Sequence, residues 1–541
     1  MGNLHWDRGR GCYQHASLSS LQLEFTIGQL GFSRIVFTGP SGSVKVGLTH
    51  AVFWSRLVIK HFLSLLSFVL LTSSSWSLLY AQSAVSTRPN IVLIMADDMG
   101  YGDPRCFNPD SRIPTPNIDR LARQGLRFTD AHAPASVCVP TRYGLLTGRY
   151  PFRSERSERV ESRIEPGRMT LASLLAGQGY TTACLGKWHQ GFDGGKVRQD
   201  YELPLKGGPL DRGFDFFFGI PASLDIPPYY WIENEHCLAA PTETIEDNFS
   251  EGWTKIQGAF WRAGNIAPRF RHVDVLPQLR RRAVDYLKQH HKENPEKPLF
   301  LYLPLPAPHT PWLPTRRYQG KSSAGEYGDF TFQVDSVVGE VLSTIEDLGS
   351  YDNTLVIFTS DNGPVWYPAD VEKFDHRATG PLRGMKGDAW EGGHRMPFVV
   401  RWPGSVRAGG VCHQMICHTD LMATLAAILE VPLPAVAGED SLSFLPLLKD
   451  PQREQATRTT LVTQSSGRIL TLRDGDWKLI PQLGSGGFSK PRKETPIAGG
   501  PRGQLYRLDL DVAESKNLWL DEKKQVAKMV KLLEEIKAAK P

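Results

Sequence analysis

Two pairs of oxygen-bearing residues in this sequence offer the ligands of a hard metal ion. Asp97 and Asp98 end one apolar run, and Asp361 and Asn362 end a second one. Carboxylate and amide oxygens are the groups that Ca²⁺ and Mg²⁺ prefer in proteins. Each pair by itself could instead cap a helix or form a turn, because Asp-Asn-Gly favours tight turns. These four residues are therefore candidate metal ligands, although their spacing alone does not establish a shared ion.

A second chemical candidate is the thiol of Cys138, which opens the segment Cys138-Val139-Pro140-Thr141-Arg142. Its alternative role is that of a small buried thiol at the start of a helix. The seven cysteines lie at positions 12, 106, 138, 184, 237, 412 and 417. They lack metal-ligand spacing and are odd in number, so neither a zinc site nor a dense disulfide framework is indicated. Cys412 and Cys417 could form a disulfide or remain unpaired buried thiols.

The first acidic pair follows a continuous apolar run from Asn90 to Ala96, and the second follows a similar run from Thr354 to Ser360. Such runs are typical of strands buried on both faces of a sheet. Apolar periodicity predicts helices over residues 117–124, 170–177, 276–290 and 332–348. This alternation predicts an α/β fold with a mainly parallel central sheet flanked by helices, whose ligand site lies beyond the carboxyl ends of the strands.

A smaller C-terminal α+β subdomain is predicted where the pattern changes. Short strands are expected over residues 468–472 and 477–480, and an amphipathic helix over residues 522–539. The predicted boundaries are 88–450 for the main domain and 455–541 for the subdomain.

Residues 192–275 are rich in Gly, Pro and aromatic residues, among them Tyr229, Tyr230 and Trp231. This composition predicts long loops. Such loops either surround the functional site or form a surface insertion, since long loops in compact domains are usually functional or disordered.

An export signal is predicted near the start of the chain. A basic flank precedes an apolar run from Phe62 to Leu71, and a serine-rich stretch with small residues follows. This order indicates a secretory signal over residues 56–83 and a secreted or periplasmic protein. An uncleaved membrane anchor is the alternative, because the uncharged run is nearly long enough to span a bilayer. Residues 1–55 are expected to be a disordered leader or the product of an overextended start.

The composition is that of a soluble globular protein, with 541 residues of which 41% are hydrophobic and 22% are charged. The formal net charge is +5, and basic residues are scattered among acidic ones. Nucleic-acid binding is therefore not indicated. A mildly positive surface suits anionic substrates.

The segment from Cys138 to Gly148 resembles the signature of type I sulfatases, C-x-P-x-R followed by a Thr-Gly pair. Thr141 stands where most members of that family have Ser. The residues from Asp97 onward are similar to the family block D-D-x-G-Y-G-D, and residues 360–363 match S-D-N-G. Further blocks that resemble the family lie at residues 179–189, 208–215, 306–311, 380–387, 473–478 and 505–508.

This resemblance implies an alkaline-phosphatase-like fold and hydrolysis of sulfate monoesters, in particular on carbohydrates, so a sulfated small molecule or glycan is the expected substrate. In this family a formylglycine-generating or sulfatase-maturing enzyme oxidises the signature cysteine to formylglycine, and that enzyme is an expected partner. The implied ligands of Ca²⁺, which is favoured over Mg²⁺, are Asp97, Asp98, Cys138, Asp361 and Asn362. The implied catalytic residues are Cys138, Arg142, Lys187, His189, His309 and Lys386.

In the implied mechanism, one hydroxyl of the hydrated aldehyde attacks sulfur, and the second hydroxyl expels sulfate when the diol collapses to the aldehyde. Arg142 and Lys187 orient the diol, and His189 takes the proton that drives collapse. His309 and Lys386 bind the sulfate oxygens and give a proton to the departing alcohol.

Two other functions are compatible with these residues. A phosphonate or phosphate ester hydrolase would use the same aldehyde on phosphorus. An inactive sulfoglycan-binding protein would result if Cys138 stays unmodified. His376 precedes one of the matching blocks, and it either reaches the substrate or lies on the surface.

Overall fold

The structure is a computed structural model that describes residues 22–27, 33–39, 42–47, 88–194 and 200–539. Three strands form an antiparallel sheet near the start, β1 (Gln22–Ile27), β2 (Ser33–Gly39) and β3 (Gly42–Gly47). The predicted export signal lies outside the described residues, and the predicted leader is described only in these strands.

Residues 86–541 group as one compact unit. Its strands are β4 (Asn90–Asp97), β5 (Leu126–Phe128), β6 (Ala131–His132), β7 (Thr181–Lys187), β8 (Phe216–Ile220), β9 (Ile232–Glu233), β10 (His236–Cys237), β11 (Glu243–Ile245), β12 (Gly264–Ile266), β13 (Leu299–Pro308), β14 (Thr354–Ser360), β15 (Phe398–Arg401), β16 (Gly410–Cys412), β17 (Ile416–Cys417), β18 (Thr460–Gln464), β19 (Leu470–Asp474), β20 (Trp477–Ile480) and β21 (Gln504–Arg507). Its helices are α1 (Pro116–Gln124), α2 (Cys138–Thr147), α3 (Leu171–Ala176), α4 (Val275–Glu293), α5 (Gly325–Asp347), α6 (Pro368–Phe374), α7 (Glu391–His394), α8 (Leu421–Ile428), α9 (Leu445–Lys449) and α10 (Lys523–Ala538).

A large central sheet organises this unit. Among the described residues it has ten strands, in the order β10-β9-β8-β7-β13-β4-β14-β15-β5-β16. The five neighbouring strands from β8 through β14 run parallel, whereas β9 and β15 are antiparallel to the strands beside them. The predicted α/β fold with a mainly parallel central sheet is confirmed.

The central strands are buried on both faces, which accounts for their continuous apolar sequences. Ile91, Leu93 and Met95 of β4 pack into one hydrophobic cluster, whereas Val92 and Ile94 pack into another. Helices α2, α3 and α8 contribute to the first cluster, and α1, α4 and α5 contribute to the second. Since successive side chains of a strand point to opposite faces, helices cover both sides of the sheet.

The predicted helices are present, with shifts at their ends. α1 buries Ile118 and Leu121, as the periodicity predicts. α5 begins at Gly325, seven residues before the predicted start at residue 332. Glycines make this first part of α5 a poor helix former, but Tyr327 and Phe330 are buried against the sheet. Tertiary packing therefore stabilises helical turns that the local sequence alone does not favour.

A smaller antiparallel sheet, β18-β19-β20-β21, forms the C-terminal part of the unit. α10 packs on it, with Met529 and Leu533 in one cluster with Leu472 and Leu479. The predicted strands and final helix are thus present. The domain boundaries themselves stay a prediction.

The stretch 192–275 contains more regular structure than the predicted long loops. Phe216–Ile220 forms β8, a strand of the central sheet that pairs in parallel with β7. Its run of aromatic residues suggested a loop, but Phe217 and Phe218 are buried in the core. The prediction of loops is therefore wrong for this segment.

No helix within the described residues is both long and apolar enough to cross a membrane. The described cysteines are unpaired, and Cys412 and Cys417 are buried thiols. Cys412 lies on β16 of the central sheet, whereas Cys417 lies on β17, which pairs with β6.

Candidate active site

The predicted metal ligands meet where two neighbouring strands end. Asp97 is the last residue of β4, and Asp361 and Asn362 follow β14, which runs parallel to β4. The backbone N–H of Asp98 donates to Asp361 Oδ1 at 3.2 Å, and Asn362 Nδ2 donates to Asp98 Oδ1 at 2.7 Å. Parallel neighbours end at the same edge of the sheet, so residues far apart in the chain form one cluster.

The donor atoms of this cluster fit a divalent cation. One carboxylate oxygen from each of Asp97, Asp98 and Asp361 lies within 4.8 Å of the others. Asp97 Oδ1 and Asn362 Oδ1 are buried and have no hydrogen-bond partner among the described residues. Buried oxygens without a donor are rare in proteins, and hard oxygen ligands of this kind suit Ca²⁺ or Mg²⁺.

Arg142 and Lys187 bind two of these carboxylates. Arg142 lies one turn into α2, and its Nη2 and Nε donate to Asp361 Oδ2 at 2.8 and 3.0 Å. Its Nη1 donates to the backbone carbonyl of Lys187 at 3.1 Å. The Nζ of Lys187, the last residue of β7, donates to Asp97 Oδ2. Both cations are fully buried, so their positions are set by these contacts.

Lys386 binds the third carboxylate. Its Nζ donates to Asp98 Oδ1 and Oδ2 at 2.5 and 2.8 Å, and its backbone N–H donates to the carbonyl of Pro364 at 2.9 Å. Three carboxylates are therefore matched by three basic side chains. A divalent cation added to this neutral set would make the site net positive, which favours an anionic substrate.

Neighbouring charges also shift the pKa values of the acids. Burial favours the neutral form of Asp97, but the positive charges around it, Lys187 foremost, hold its pKa well below the usual value. Burial and then the charge of Asp97 raise the pKa of Asp361 to about 6, although Arg142 opposes this. Two carboxylates this close repel each other, and a cation between them would relieve the repulsion.

Cys138 lies beside this cluster. It is the first residue of α2 and is 8% exposed. Its Sγ, a carboxylate oxygen of Asp97 and a ring nitrogen of His309 all lie within 4.8 Å of one another. Gln190 Nε2 donates to the carbonyl of Val139 at 2.9 Å and so holds the start of the helix. The structure thus brings the thiol and the candidate metal ligands together.

The two predicted histidines lie at the same edge of the sheet. His189 follows β7 with a φ of 55°, and its Nδ1 is buried without a partner among the described residues. Burial and then the charge of Lys187 lower the pKa of His189 well below its usual value, so its imidazole is neutral. His309 follows β13, its Nδ1 lies 2.6 Å from the carbonyl oxygen of Thr310, and its Nε2 lies 3.7 Å from Asp98 Oδ2.

His376 does not lie on the surface, so that interpretation is wrong, whereas its contact with a substrate stays a prediction. It is fully buried, and its Nε2 lies 2.8 Å from Asp103 Oδ1. Tyr327 donates its hydroxyl to the other oxygen of Asp103 and lies 3.2 Å from the carbonyl oxygen of Asp98. His376 therefore supports the loop that carries Asp98, a role that depends on contacts distant in the sequence.

A second buried charged cluster lies outside the predicted site residues. Lys478 of β20 donates to Glu391 Oε1 at 3.0 Å, lies 2.9 Å from Glu514 Oε1 and lies 3.2 Å from His394 Nε2. His394 Nδ1 in turn lies 3.1 Å from His132 Nδ1. The His and Glu side chains could bind a metal, but the Lys478 ammonium already supplies the cation. The cluster joins α7 to the C-terminal sheet.

Asp225 is a further residue at this edge of the sheet that the sequence motifs do not include. It lies after β8 and is 6% exposed. Its Oδ2 pairs with Arg262 Nη1 at 2.5 Å, and its Oδ1 lies 4.0 Å from His309 Nδ1. In the sequence, Asp225 stands out only as an acidic residue within an aromatic and Pro-rich stretch.

Comparison with known proteins agrees with this geometry. The Sulfatase family model matches residues 89–431. An N-acetylgalactosamine-6-O-sulfatase of Bacteroides thetaiotaomicron is 33% identical over 488 residues, which are 84% of this chain and 94% of that protein. Human arylsulfatase A is 36% identical over 381 residues, 68% of this chain and 69% of that protein.

A solved structure described under the metabolism of multiple glycosaminoglycans by Bacteroides thetaiotaomicron is also similar. It superposes with a TM-score of 0.74 and 32% sequence identity, and the match covers 84% of this chain and 100% of that one. The similarity thus extends beyond the family match into the C-terminal part of the chain.

Proposed function

This chain belongs to the sulfatase family and is a sulfuric ester hydrolase, and from that premise we propose that it hydrolyses sulfate monoesters of carbohydrates through a formylglycine made from Cys138. The observation that carries this proposal is the close approach of Cys138, Asp97 and His309 within one buried cluster. The similarity to an N-acetylgalactosamine-6-O-sulfatase supports a sugar substrate.

The unmodified thiol is poorly suited to attack. Burial raises the pKa of Cys138, so the thiol stays protonated, and the thiol is a weaker nucleophile than the thiolate. A hydrated aldehyde at this position has two hydroxyls on one carbon. One hydroxyl can attack sulfur while the other remains free to release the product. A serine has a single hydroxyl, so its sulfate ester could not be released in this way.

Asp97, Asp98, Asp361 and Asn362 would hold a divalent cation, with residue 138 as a further ligand. We propose Ca²⁺, since the donors are carboxylate and amide oxygens. When bound, the cation would offset the carboxylate charge and lower the pKa of a hydroxyl beside it. The unpartnered oxygens of Asp97 and Asn362 support this ligand set.

In the first step, one diol hydroxyl releases its proton to solvent and its oxygen forms a bond to sulfur, while the bond from sulfur to the alcohol oxygen breaks. Arg142 and Lys187 supply fixed positive charge beside the diol. Although burial opposes it, the charge of Asp98 raises the pKa of Lys386, so Lys386 keeps its proton and binds a sulfate oxygen as a fixed cation. His309 is then the better donor of the proton that the leaving alcohol takes up.

In the second step, the remaining hydroxyl loses its proton, the carbonyl re-forms and sulfate departs. His189 is the proposed acceptor of that proton, since its imidazole is neutral and its Nδ1 is unpartnered. Water then adds to the aldehyde and restores the diol, so the net reaction consumes one water for each ester.

The maturation enzyme that oxidises Cys138 is a proposed partner. We also propose export of the chain, because residues 56–83 have the order of a secretory signal.

The test combines mass spectrometry with turnover. The peptide that contains residue 138 should show an aldehyde, and the protein should cleave an aryl sulfate faster than a matched aryl phosphodiester. Cys138→Ala should lose at least about 10³-fold in kcat, since the covalent route is removed, while its circular dichroism spectrum stays that of the wild type. A fully alkylatable thiol in active protein, or an active Cys138→Ala variant, would contradict the proposal.

A further inference from the structure

Asp225 is a buried acid that the sulfate chemistry does not use. It lies in the turn from Ser223 to Ile226, which the Ile226 N–H closes by donating to the Ser223 carbonyl at 3.0 Å. This turn follows β8, whose last residue, Ile220, pairs in register with Lys187 at the end of β7. Because parallel strands share one carboxyl edge, the turn emerges beside the catalytic residues.

The loop that carries His189 runs next to this turn. The backbone N–H groups of Trp188 and His189 donate to the carbonyls of Ile220 and Pro221 at 3.1 and 3.0 Å. The turn also approaches His309, because Asp225 Oδ1 lies 4.0 Å from His309 Nδ1. Asp225 is therefore next to the proposed proton donor.

Among the described residues, only one of the two Asp225 carboxylate oxygens has a hydrogen-bond partner. Oδ2 pairs with Arg262 Nη1, which also donates to the Asp225 backbone carbonyl at 2.9 Å. Oδ1 is buried and has no hydrogen-bond partner among the described residues. A buried acceptor without a donor is costly, so a ligand that brings a donor is expected at this oxygen.

Orientation of His309 does not require Asp225. His309 Nδ1 already has an acceptor in the carbonyl of Thr310, at 2.6 Å. Asp225 Oδ1 is therefore not needed as the acceptor that orients His309.

The donor must come from the alcohol part of the substrate. Sulfate oxygens are negatively charged acceptors, so they repel a carboxylate. A sugar ring carries hydroxyl donors next to its sulfate ester, whereas the ring of a simple aryl sulfate has none.

We propose that Asp225 is a specificity-determining residue that accepts a hydrogen bond from a hydroxyl of the departing alcohol and so selects sulfate esters of sugars. This inference rests on the proposed sulfatase function and adds the substrate group that is recognised beside His309. A site that hydrogen-bonds a substrate hydroxyl discriminates strongly against an analogue that lacks it.

The experiment uses full-length protein with Ca²⁺ and a measured aldehyde content at residue 138. The sugar sulfate cleaved fastest in a panel that includes N-acetylgalactosamine 6-sulfate is compared with its analogues that each lack one hydroxyl. The wild type should prefer the parent over one analogue by about 10- to 100-fold in kcat/KM. In Asp225→Ala that preference should fall close to one.

Arg262→Ala is the matched control, because it removes the partner of Oδ2 and leaves Oδ1 in place. Arg262→Ala should keep the wild-type preference. Asp225→Asn retains the side-chain shape and one oxygen acceptor, so its preference should lie between those of the wild type and Asp225→Ala. If Asp225→Ala is poorly folded, the comparison of Asp225→Asn with Arg262→Ala still decides the question.

An unchanged preference in Asp225→Ala would overturn the inference. So would an equal loss on all substrates with a shifted pH profile, because Asp225 would then act through His309. Turnover of aryl sulfate but of no sugar sulfate would also overturn it, while leaving the sulfatase function intact. Wild-type protein that carries the aldehyde but cleaves no sulfate ester would overturn the proposed function itself.

Discussion

At the scale of single residues, Lys187 illustrates how the site depends on charges that are buried in pairs. Lys187 and Asp97 are both fully buried and bound to each other. Removing one partner of a buried pair leaves the other charge in a medium that solvates it poorly. Lys187 therefore contributes to stability as well as to the positive charge beside residue 138.

Lys187→Met should lower the free energy of unfolding by about 3–5 kcal/mol at neutral pH in the presence of a chelator. Urea titration measures this effect. Lys206→Met is the control, because the Lys206 side chain is exposed and its partner Glu235 is partly exposed, so loss of this pair should change stability little. Equal effects of the two substitutions would contradict the argument.

The decrease in the free energy of unfolding caused by Lys187→Met should also become smaller as the pH falls. The pKa of Asp97 in the folded wild type is depressed, so its contribution to stability is present above the unfolded pKa of about 3.9 and is lost at lower pH. In the variant, the buried Asp97 takes up a proton more readily. Urea titrations at several pH values check this direction.

At the scale of elements, β7 depends on a glycine to bring Lys187 to the site. Gly186 has a φ of 148°, and a Cβ at this position would lie 2.0 Å from the Pro304 carbonyl oxygen of the neighbouring strand β13. A backbone atom in a sheet cannot move aside cheaply. The glycine therefore permits the close packing that sets the position of the next residue.

Gly186→Ala should destabilise the protein by about 3 kcal/mol or more, at the upper end of overpacking effects, and should lower the melting midpoint accordingly. Thermal unfolding followed by circular dichroism measures this. Gly177→Ala is the control, because Gly177 has a φ of −61° and its added Cβ would lie 3.3 Å from the nearest atom. Similar midpoints for the two variants would argue against the predicted clash.

At the scale of the whole molecule, a buried ion cluster connects the C-terminal sheet to the rest of the unit. Lys478 lies on β20, and its partner Glu391 begins α7, five residues after Lys386. Burial favours the neutral form of Glu391, but the charge of Lys478 and its neighbours holds the pKa well below its usual value. The C-terminal sheet thereby supports the segment that carries a proposed catalytic lysine.

A fragment that ends at residue 450 should not fold, because Glu391 would lose its buried partner Lys478. Expression of residues 88–450 should give aggregated protein without a cooperative melting transition. Lys478→Met in the full chain should lower stability by about 3–5 kcal/mol, whereas Lys528→Met, which removes an exposed lysine, should not. A soluble, active fragment would refute this dependence on the C-terminal sheet.

Much of this architecture could be predicted from local sequence. The apolar runs before Asp97 and Asp361 indicate β4 and β14, because a strand buried on both faces needs apolar side chains at every position. β8 and the first turns of α5 are missed because long-range burial outweighs their local composition.

Residue type and short-range spacing are local properties, so the sequence identifies the chemical groups that stand at the ends of the strands. Which of these groups meet depends on tertiary packing. Asp98 and Asp361 are 263 residues apart in the chain, and they contact each other because β4 pairs with β14. The burial of His376, the support from Lys478 and the free oxygen of Asp225 likewise arise from packing between distant segments, which no local pattern encodes.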